Sequence, residues 1–160
     1  MAAKSLGYRV AVYDAVPDGP ACSCADLSIT APFDDQEALA RFAAAADVVT
    51  VEFENIPMET LRFLEKSRPV RPSPGVVRIC QDRVLEKEFL RENEFPVAPF
   101  RVVTSAAELA EALAALAAPS ILKTAALGYD GKGQVPLRPG DDAEAAWKKL
   151  AAPRAVLEQR

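Results

Sequence analysis

Histidine is absent from the 160-residue chain. The chain therefore cannot form a histidine general base, a histidine metal ligand or a Ser-His-Asp triad. Cysteine is scarce, and Cys22, Cys24 and Cys80 form no regular framework, which argues against a secreted disulfide scaffold. One residue separates Cys22 from Cys24 and no second pair follows, so two small loop residues are favoured over a metal site.

Long apolar runs and an excess of positive charge are also lacking. No stretch approaches the length of a transmembrane helix, and residues 1–12 do not show the pattern of a signal peptide. With 19 basic and 23 acidic residues, nothing indicates a surface for a nucleic-acid backbone. We therefore expect a cytoplasmic protein that binds neither membranes nor nucleic acids. Half of the residues are hydrophobic, enough for one or two small domains.

Short apolar runs alternate with amphipathic segments in the first half of the chain. Strands are predicted at 8–14, 27–30 and 47–53, of which the last is the clearest. Helices are predicted to open at Asp34–Asp35 and at Pro57. Their apolar faces consist of Leu39, Phe42 and Ala43 in the first helix and of Met58, Leu61 and Leu64 in the second. This alternation indicates parallel α/β structure.

Three prolines within 67–75 indicate a domain boundary, which divides the chain into 1–76 and 77–160. Two helices are predicted next, around 76–81 and at 82–93, and strands follow at 100–103, 120–124, 133–137 and 155–159. Ser105 and Glu108 form a capping box for a further helix, and Asp141 caps the last one. The apolar faces of these two helices consist of Leu109, Leu113 and Leu116, and of Ala143, Ala146, Trp147 and Leu150.

The two ends of the chain predict a fragment. Residues 2–6 look like the end of a helix that leads into a strand, whereas a doubly wound domain begins with a strand and a glycine-rich turn. At the other end, Arg160 lies in or just after a predicted strand. We therefore expect both ends to be cut.

The strongest chemical signal is Lys123 followed by the run Gly128-Tyr129-Asp130-Gly131-Lys132-Gly133-Gln134. Three glycines within six residues let the backbone approach a ligand, and its N–H groups can then surround an anion. Lys123, on the preceding strand, supplies a point charge for phosphate. The run is not a Walker loop, because the Gly-Lys-Ser/Thr ending is missing and a strand follows. Taken alone, it would be an ordinary turn.

Other motifs decide between these interpretations. Leu122-Lys123-Thr124, the glycine-rich run and Val156-Leu157-Glu158-Gln159 occur in the order and spacing of an ATP-grasp nucleotide site. Residues 81–99, with Gln81-Asp82-Arg83, Lys87 and Phe89, look like the region that enters that fold. Residues 48–57, Val-Val-Thr-Val-Glu-Phe-Glu-Asn-Ile-Pro, resemble a signature of the 5-(carboxyamino)imidazole ribonucleotide synthase family. Almost the whole chain is thus similar to this ATP-grasp family of purine biosynthesis.

The resemblance implies an α/β fold with two parts. Residues 1–76 would form an incomplete Rossmann-like pre-ATP-grasp domain without its first strand. Residues 77–160 would form linker helices and the first ATP-grasp subdomain. Leu127 is a departure, because the family usually has glycine at that position.

The resemblance also implies site residues. Lys123 would contact the ATP phosphates, and Gly128, Tyr129, Asp130, Gly131, Lys132, Gly133 and Gln134 would form the loop that covers them. Glu158 and Gln159 would lie beside adenine and ribose, and Arg83 would approach the nucleotide. A solvated arginine at a helix start explains Arg83 better on its own, and Glu158 could be a surface charge at a strand end.

Glu54 and Asn55 directly follow the clearest predicted strand and are candidates for substrate binding. Ligands in open α/β sheets bind at the carboxyl ends of strands, so Glu54 and Asn55 could face the ribonucleotide or bicarbonate. A loop that caps the next helix explains these residues nearly as well. Asp14 also ends a strand, but no glycine fingerprint supports a ribose site there.

The implied reaction joins bicarbonate to 5-aminoimidazole ribonucleotide with ATP, through carboxyphosphate. It needs Mg²⁺, whose ligands we expect beyond residue 160, and the parent enzyme is expected to be a homodimer. The catalytic residue is unknown, since nothing resembles a covalent nucleophile, and we expect the chain by itself to be inactive. The alternatives are another ATP-grasp ligase or carboxylase, against which the Glu-Phe-Glu-Asn run argues, and a non-catalytic ATP-binding fragment.

Overall fold

The computed structural model describes residues 2–126 and 133–160. The chain divides into two compact units between Arg78 and Ile79. The domain limits predicted from the sequence, 1–76 and 77–160, stay a prediction. Within the described ranges, every helix is too short or too polar to cross a lipid bilayer.

The first unit pairs its strands in parallel. Its elements are α1 (Ala2–Ser5), β1 (Ala11–Asp14), a 3₁₀ helix (Cys22–Cys24), β2 (Leu27–Thr30), α2 (Gln36–Ala45), β3 (Val49–Thr50), α3 (Met58–Glu65), β4 (Val70–Arg71) and all but the last two residues of α4 (Pro74–Cys80). β1 pairs with β2 and β3 pairs with β4, both in parallel. The predicted parallel α/β structure is therefore confirmed for these pairs.

The core of this unit is formed by the predicted helix faces. Leu39 and Phe42 of α2 pack with Leu61 and Leu64 of α3, and Met58 contacts this core from a half-buried position. Asp35 caps α2, because its side chain accepts a hydrogen bond from the backbone N–H of Ala38 at 2.9 Å.

Two predicted strands are shorter in the structure. The strand predicted at 47–53 is only Val49–Thr50, and Val48 and Phe53 are more than half exposed. Its partner β4 ends just before Pro72, which has no N–H for a further ladder bond. The strand predicted at 8–14 begins at Ala11, because the backbone N–H of Val10 donates to the side chain of Asp26.

The second unit is built on one antiparallel sheet. Its elements are α5 (Arg83–Glu92), β5 (Phe100–Val103), α6 (Ala106–Leu116), β6 (Ser120–Thr124), β7 (Gln134–Leu137), α7 (Ala143–Leu150) and β8 (Ala155–Gln159). The strand order is β5-β8-β6-β7, so β8, the last strand in the sequence, is an inner strand. The strands predicted at 100–103, 120–124 and 155–159 are confirmed, and the one predicted at 133–137 begins one residue later.

Two helix starts differ in detail from the prediction. Ser105 accepts from the backbone N–H of Glu108 as expected, but the Glu108 carboxylate accepts from Thr104 instead of Ser105. The predicted cap Asp141 is wrong. Its side chain accepts from the backbone N–H of Arg138 in the preceding turn, and Asp142 caps α7.

The sheet of the second unit has two different faces, because side chains alternate along each strand. Leu122 and Leu157 point into a core with α6 and α7 and are fully buried. Val156 points to the other face, where a smaller cluster joins it to Val84 of α5. Residues that alternate with Leu122 and Leu157 therefore lie on the face that α5 only partly covers.

Candidate functional site

Glu158 lies between two lysines on the face of the sheet that carries Val156. Its Oε1 accepts a hydrogen bond from Lys87 Nζ at 2.6 Å, and its Oε2 accepts one from Lys123 Nζ at 2.7 Å. The three side chains are only 13% (Lys87), 18% (Glu158) and 21% (Lys123) exposed. Each carboxylate oxygen thus has its own lysine in a largely buried position. We call these three residues the lysine–glutamate cluster.

Strand register places two members of the cluster side by side. In the pairing of β6 with β8, Lys123 is opposite Val156 and Ile121 is opposite Glu158. Lys123 and Glu158 are therefore diagonal neighbours on one face. Lys87 follows the buried Val84 of α5 by three residues, so both lie on the same side of the helix.

The electrostatics of the cluster favour an ionised Glu158. Burial raises the pKa of its carboxyl group, but hydrogen bonds and charges from Lys123 and Lys87 outweigh that effect and hold the pKa below its usual value. Two ammonium groups facing one carboxylate leave one excess positive charge. A partly buried excess of positive charge attracts an anion such as phosphate.

The lowered pKa predicts a loss of stability in acid. Because the carboxyl group binds its proton less readily when folded than when unfolded, its stabilising effect is full above the unfolded pKa. That effect should disappear as the pH falls through the lowered folded pKa. Urea unfolding at a series of pH values, followed by the fluorescence of Trp147 in the second unit, measures this. Glu158→Gln should lose less stability over that pH range, whereas parallel curves would contradict the prediction.

A buried aspartate fixes the beginning of α5. Asp82 Oδ1 accepts hydrogen bonds from the backbone N–H groups of Val84 at 3.0 Å and Leu85 at 3.4 Å, and Oδ2 pairs with Arg154. The backbone N–H of Arg83 donates to the carbonyl of Ala125 at 2.8 Å, just beyond β6. These contacts attach α5 to the sheet and so position Lys87.

Asp82→Ala should destabilise the second unit by about 2–3 kcal/mol, because it removes a helix cap and one partner of a partly buried ion pair. Asp142→Ala is the matched control. Asp142 caps α7 from an exposed position, so its loss should cost about 1 kcal/mol. Urea unfolding followed by Trp147 fluorescence measures both. Equal losses would show that burial and Arg154 add nothing to the cap.

Part of the predicted phosphate loop lies outside the described residues, namely Gly128, Tyr129, Asp130, Gly131 and Lys132, together with Leu127. Gly133 has φ +69°, a conformation that favours glycine, and an added Cβ would lie 2.8 Å from Thr124 Oγ1. Gln134 pairs with Lys123 across β6 and β7, so the loop's last residue is beside the predicted phosphate lysine.

The other predicted site residues are divided between the two units. Arg83 is half-buried at the start of α5, and Gln159 donates its backbone N–H to the carbonyl of Pro99 at 2.9 Å. In the first unit, Glu54 is exposed and Asn55 is half-buried, in a turn before α3. They follow the end of β3 by four and five residues, because that strand is shorter than predicted.

Sequence reasoning did not assign Lys87 to the site. The sequence does contain a pattern that could have identified Lys87. Arg83, Lys87 and Arg91 are spaced by four residues and form a cationic row on α5. Lys87 Nζ and Arg91 Cζ lie 5.7 and 5.5 Å from the centre of the Phe100 ring. Phe100 is opposite Glu158 in the sheet, so this row lies against the cluster.

The described residues do not assemble a magnesium site. In residues 2–126 and 133–160, no group of three or more acidic or cysteine side chains could hold a metal ion. The lysine–glutamate cluster has one carboxylate already shared by two lysines, which does not suit a divalent cation.

Two family descriptions match the two parts of this chain. The ribonucleotide synthetase preATP-grasp domain matches residues 1–81, and the ATP-grasp domain matches residues 88–160. The chain therefore has the fold of an ATP-grasp protein, with its preATP-grasp part first and its ATP-grasp part second.

Named relatives narrow this class. An N5-carboxyaminoimidazole ribonucleotide synthase of Brucella melitensis is 42% identical over 99% of this chain and 44% of its own length. The ADP complex of an N5-carboxyaminoimidazole ribonucleotide synthetase has a TM-score of 0.91 and 41% identity over 99% of this chain and 42% of its own. The chain belongs to the N5-carboxyaminoimidazole ribonucleotide synthase family, and it spans less than half the length of these relatives.

A third relative has a second ligand. The synthase from Aspergillus clavatus in complex with ADP and 5-aminoimidazole ribonucleotide has a TM-score of 0.85 and 28% identity over 99% of this chain and 42% of its own.

Proposed function

We propose that this chain contributes part of the ATP site of an enzyme that carboxylates 5-aminoimidazole ribonucleotide. The observation that carries this proposal is the lysine–glutamate cluster on the face of β6 and β8, next to the end of the glycine-rich loop. Its excess positive charge suits a nucleotide phosphate. The named relatives support the choice of nucleotide and ribonucleotide.

In this proposal, Lys123 contacts the phosphates. Its ammonium group is 2.7 Å from Glu158 Oε2, and the Lys123 side chain is 21% exposed, so a phosphate oxygen can reach it from solvent. A charge-assisted hydrogen bond of this kind contributes about 1.5–3 kcal/mol. Residues 128–134 cover the phosphates with backbone N–H groups, and Arg83 approaches from α5.

Glu158 and Gln159 lie beside the adenine and ribose in the same proposal. The backbone of β8 is fixed there, because Gln159 is bonded to Pro99 and the Glu158 side chain is held by two lysines. A rigid strand end positions the nucleotide, and positioning is the main way in which proteins accelerate phosphoryl transfer.

The reaction takes place in two steps. A bicarbonate oxygen attacks the γ-phosphorus of ATP, the bond to ADP breaks, and carboxyphosphate forms. The exocyclic amine of the ribonucleotide then attacks the carboxyl carbon, loses a proton and releases inorganic phosphate. Glu54 and Asn55 are proposed to face the ribonucleotide or bicarbonate.

Several further features stay proposals. Mg²⁺ neutralises phosphate charge in reactions of this type, and it would be held by residues other than those described. Bicarbonate as the carboxyl source, a homodimeric enzyme and a cytoplasmic location are predictions from the family resemblance.

A segment exchange tests the proposed function. The 160 residues replace the aligned segment of the Brucella melitensis synthase, and ADP release is measured with ATP, Mg²⁺ and bicarbonate. The chimera should release ADP faster when 5-aminoimidazole ribonucleotide is added. A folded chimera that ignores this ribonucleotide but responds to another amine or acid would show a different ATP-grasp ligase. The matched control is the same chimera with Lys123→Ala, which should lose the response.

A further inference from the structure

Lys87 has no role in the function proposed above, yet it is the least exposed member of the lysine–glutamate cluster. Its Nζ is 2.6 Å from Glu158 Oε1 and 5.7 Å from the centre of the Phe100 ring. Its helix is fixed to the sheet through Asp82, Arg154 and the bond from Arg83 to Ala125. Lys87 is therefore a cation held in place from two sides.

In the proposed function, Lys123 interacts with two anions. One is Glu158 Oε2, at 2.7 Å, and the other is a nucleotide phosphate. When Lys123 turns toward phosphate, its bond to Glu158 weakens. A largely buried carboxylate would then lose a partner while a second anion approaches it, and both effects oppose binding.

We propose that Lys87 is a positioning residue that holds Glu158 and compensates its charge, so that Lys123 is available to the nucleotide phosphate. Lys87 binds the carboxylate oxygen that Lys123 does not use, so the two lysines do not compete. This inference rests on the proposed function, since it assigns phosphate as the partner of Lys123. Lys87 acts through Glu158 and does not touch the nucleotide.

The inference predicts that the effect of Lys87 depends on the charge of Glu158. In Lys87→Met, which keeps most of the apolar stem, Glu158 retains only Lys123 of its two described lysine partners, and ADP should bind about tenfold more weakly. Lys87→Arg keeps the charge and should stay within about threefold of the unsubstituted chain. In a Glu158→Gln background, Lys87→Met should change ADP affinity less than about twofold, because no carboxylate remains to be compensated.

Protonation gives a second readout. The charges acting on Glu158 come from Lys87 on α5 and Lys123 on β6, and Arg91 lies farther along α5 over the Phe100 ring. In Lys87→Met, nucleotide binding should draw a proton onto Glu158, so the loss of affinity should shrink as the pH falls toward the carboxyl pKa. In the unsubstituted chain, Lys87 keeps the carboxylate charged and this proton uptake should be much smaller.

The experiment is an ADP titration of the 160-residue chain, followed by NMR chemical shifts at several pH values. It compares the unsubstituted chain, Lys87→Met, Lys87→Arg, Glu158→Gln and the double variant Lys87→Met with Glu158→Gln. The spectra also report whether each variant is folded. If Lys87→Met does not fold, the cycle is run with Lys87→Gln.

The outcomes separate the two proposals. A tenfold loss that vanishes in the Glu158→Gln background supports the positioning role. The same loss in both backgrounds would show that Lys87 only stabilises the fold, and an unchanged affinity in Lys87→Met would also overturn the inference. No ADP binding by the unsubstituted chain would instead overturn the nucleotide site, and this inference with it.

Discussion

Replacing Lys123 by methionine should weaken ADP binding by about tenfold to a hundredfold while leaving the second unit folded. A charge-assisted hydrogen bond to phosphate is worth about 1.5–3 kcal/mol, and each 1.4 kcal/mol is a factor of ten. The substitution keeps most of the apolar stem, and Glu158 keeps its bond to Lys87. An ADP titration of the chain, with folding checked by Trp147 fluorescence, measures the effect.

A control separates this site from general charge effects. Lys148 is also a lysine of the second unit, but it is 74% exposed on α7 and pairs only with Glu144 among the described contacts. Lys148→Met should leave ADP affinity within about twofold, since exposed ion pairs contribute little. Equal losses of ADP affinity in Lys123→Met and Lys148→Met would show that Lys123 acts only through its contribution to the overall charge and not through a contact with phosphate.

Leu157→Ala should destabilise the second unit by about 3–5 kcal/mol. Leu157 is fully buried in β8, opposite Leu122 in the sheet, and it packs in the core with α6 and α7. Its truncation removes apolar contacts and leaves a cavity that an inner strand cannot easily close. Since whole domains are stable by only about 5–15 kcal/mol, this loss should be plain in urea unfolding followed by Trp147 fluorescence.

Val102→Ala is the matched control for this prediction. Val102 lies on the neighbouring strand β5 but is 38% exposed, so its truncation should cost less than about 1 kcal/mol. A small loss for Leu157→Ala, similar to that of Val102→Ala, would contradict the core described for this unit. It would also remove the rigid support assumed for Glu158, the next residue in β8.

Much of the second unit could be predicted from local signals. Strands at 100–103, 120–124 and 155–159 were bounded by turn and capping residues, and the structure has the same limits. The valine-rich run predicted a strand at 47–53, but β3 is only Val49–Thr50, because the length of a strand depends on the partner strand with which it pairs. The partner strand β4 has two residues and is followed directly by a proline. The sequence of residues 47–53 contains no information about the length of β4.

The site was only partly accessible from the sequence. Motif order gave Lys123 and Glu158 as neighbours of one nucleotide, although 35 residues separate them in the chain. The bond between Lys87 and Glu158 joins residues 71 apart and depends on how α5 packs on the sheet. Helical spacing shows the cationic row on α5, but not which of its members meets the carboxylate.

A crystal structure of the chain with ADP would show whether the second unit binds a nucleotide at the lysine–glutamate cluster. We predict a phosphate oxygen within hydrogen-bonding distance of Lys123 Nζ, with the adenine beside the backbone of residues 158 and 159. Glu158 should still be bonded to Lys87 in that structure. ADP bound elsewhere, with Lys123 still paired only to Glu158, would contradict the account.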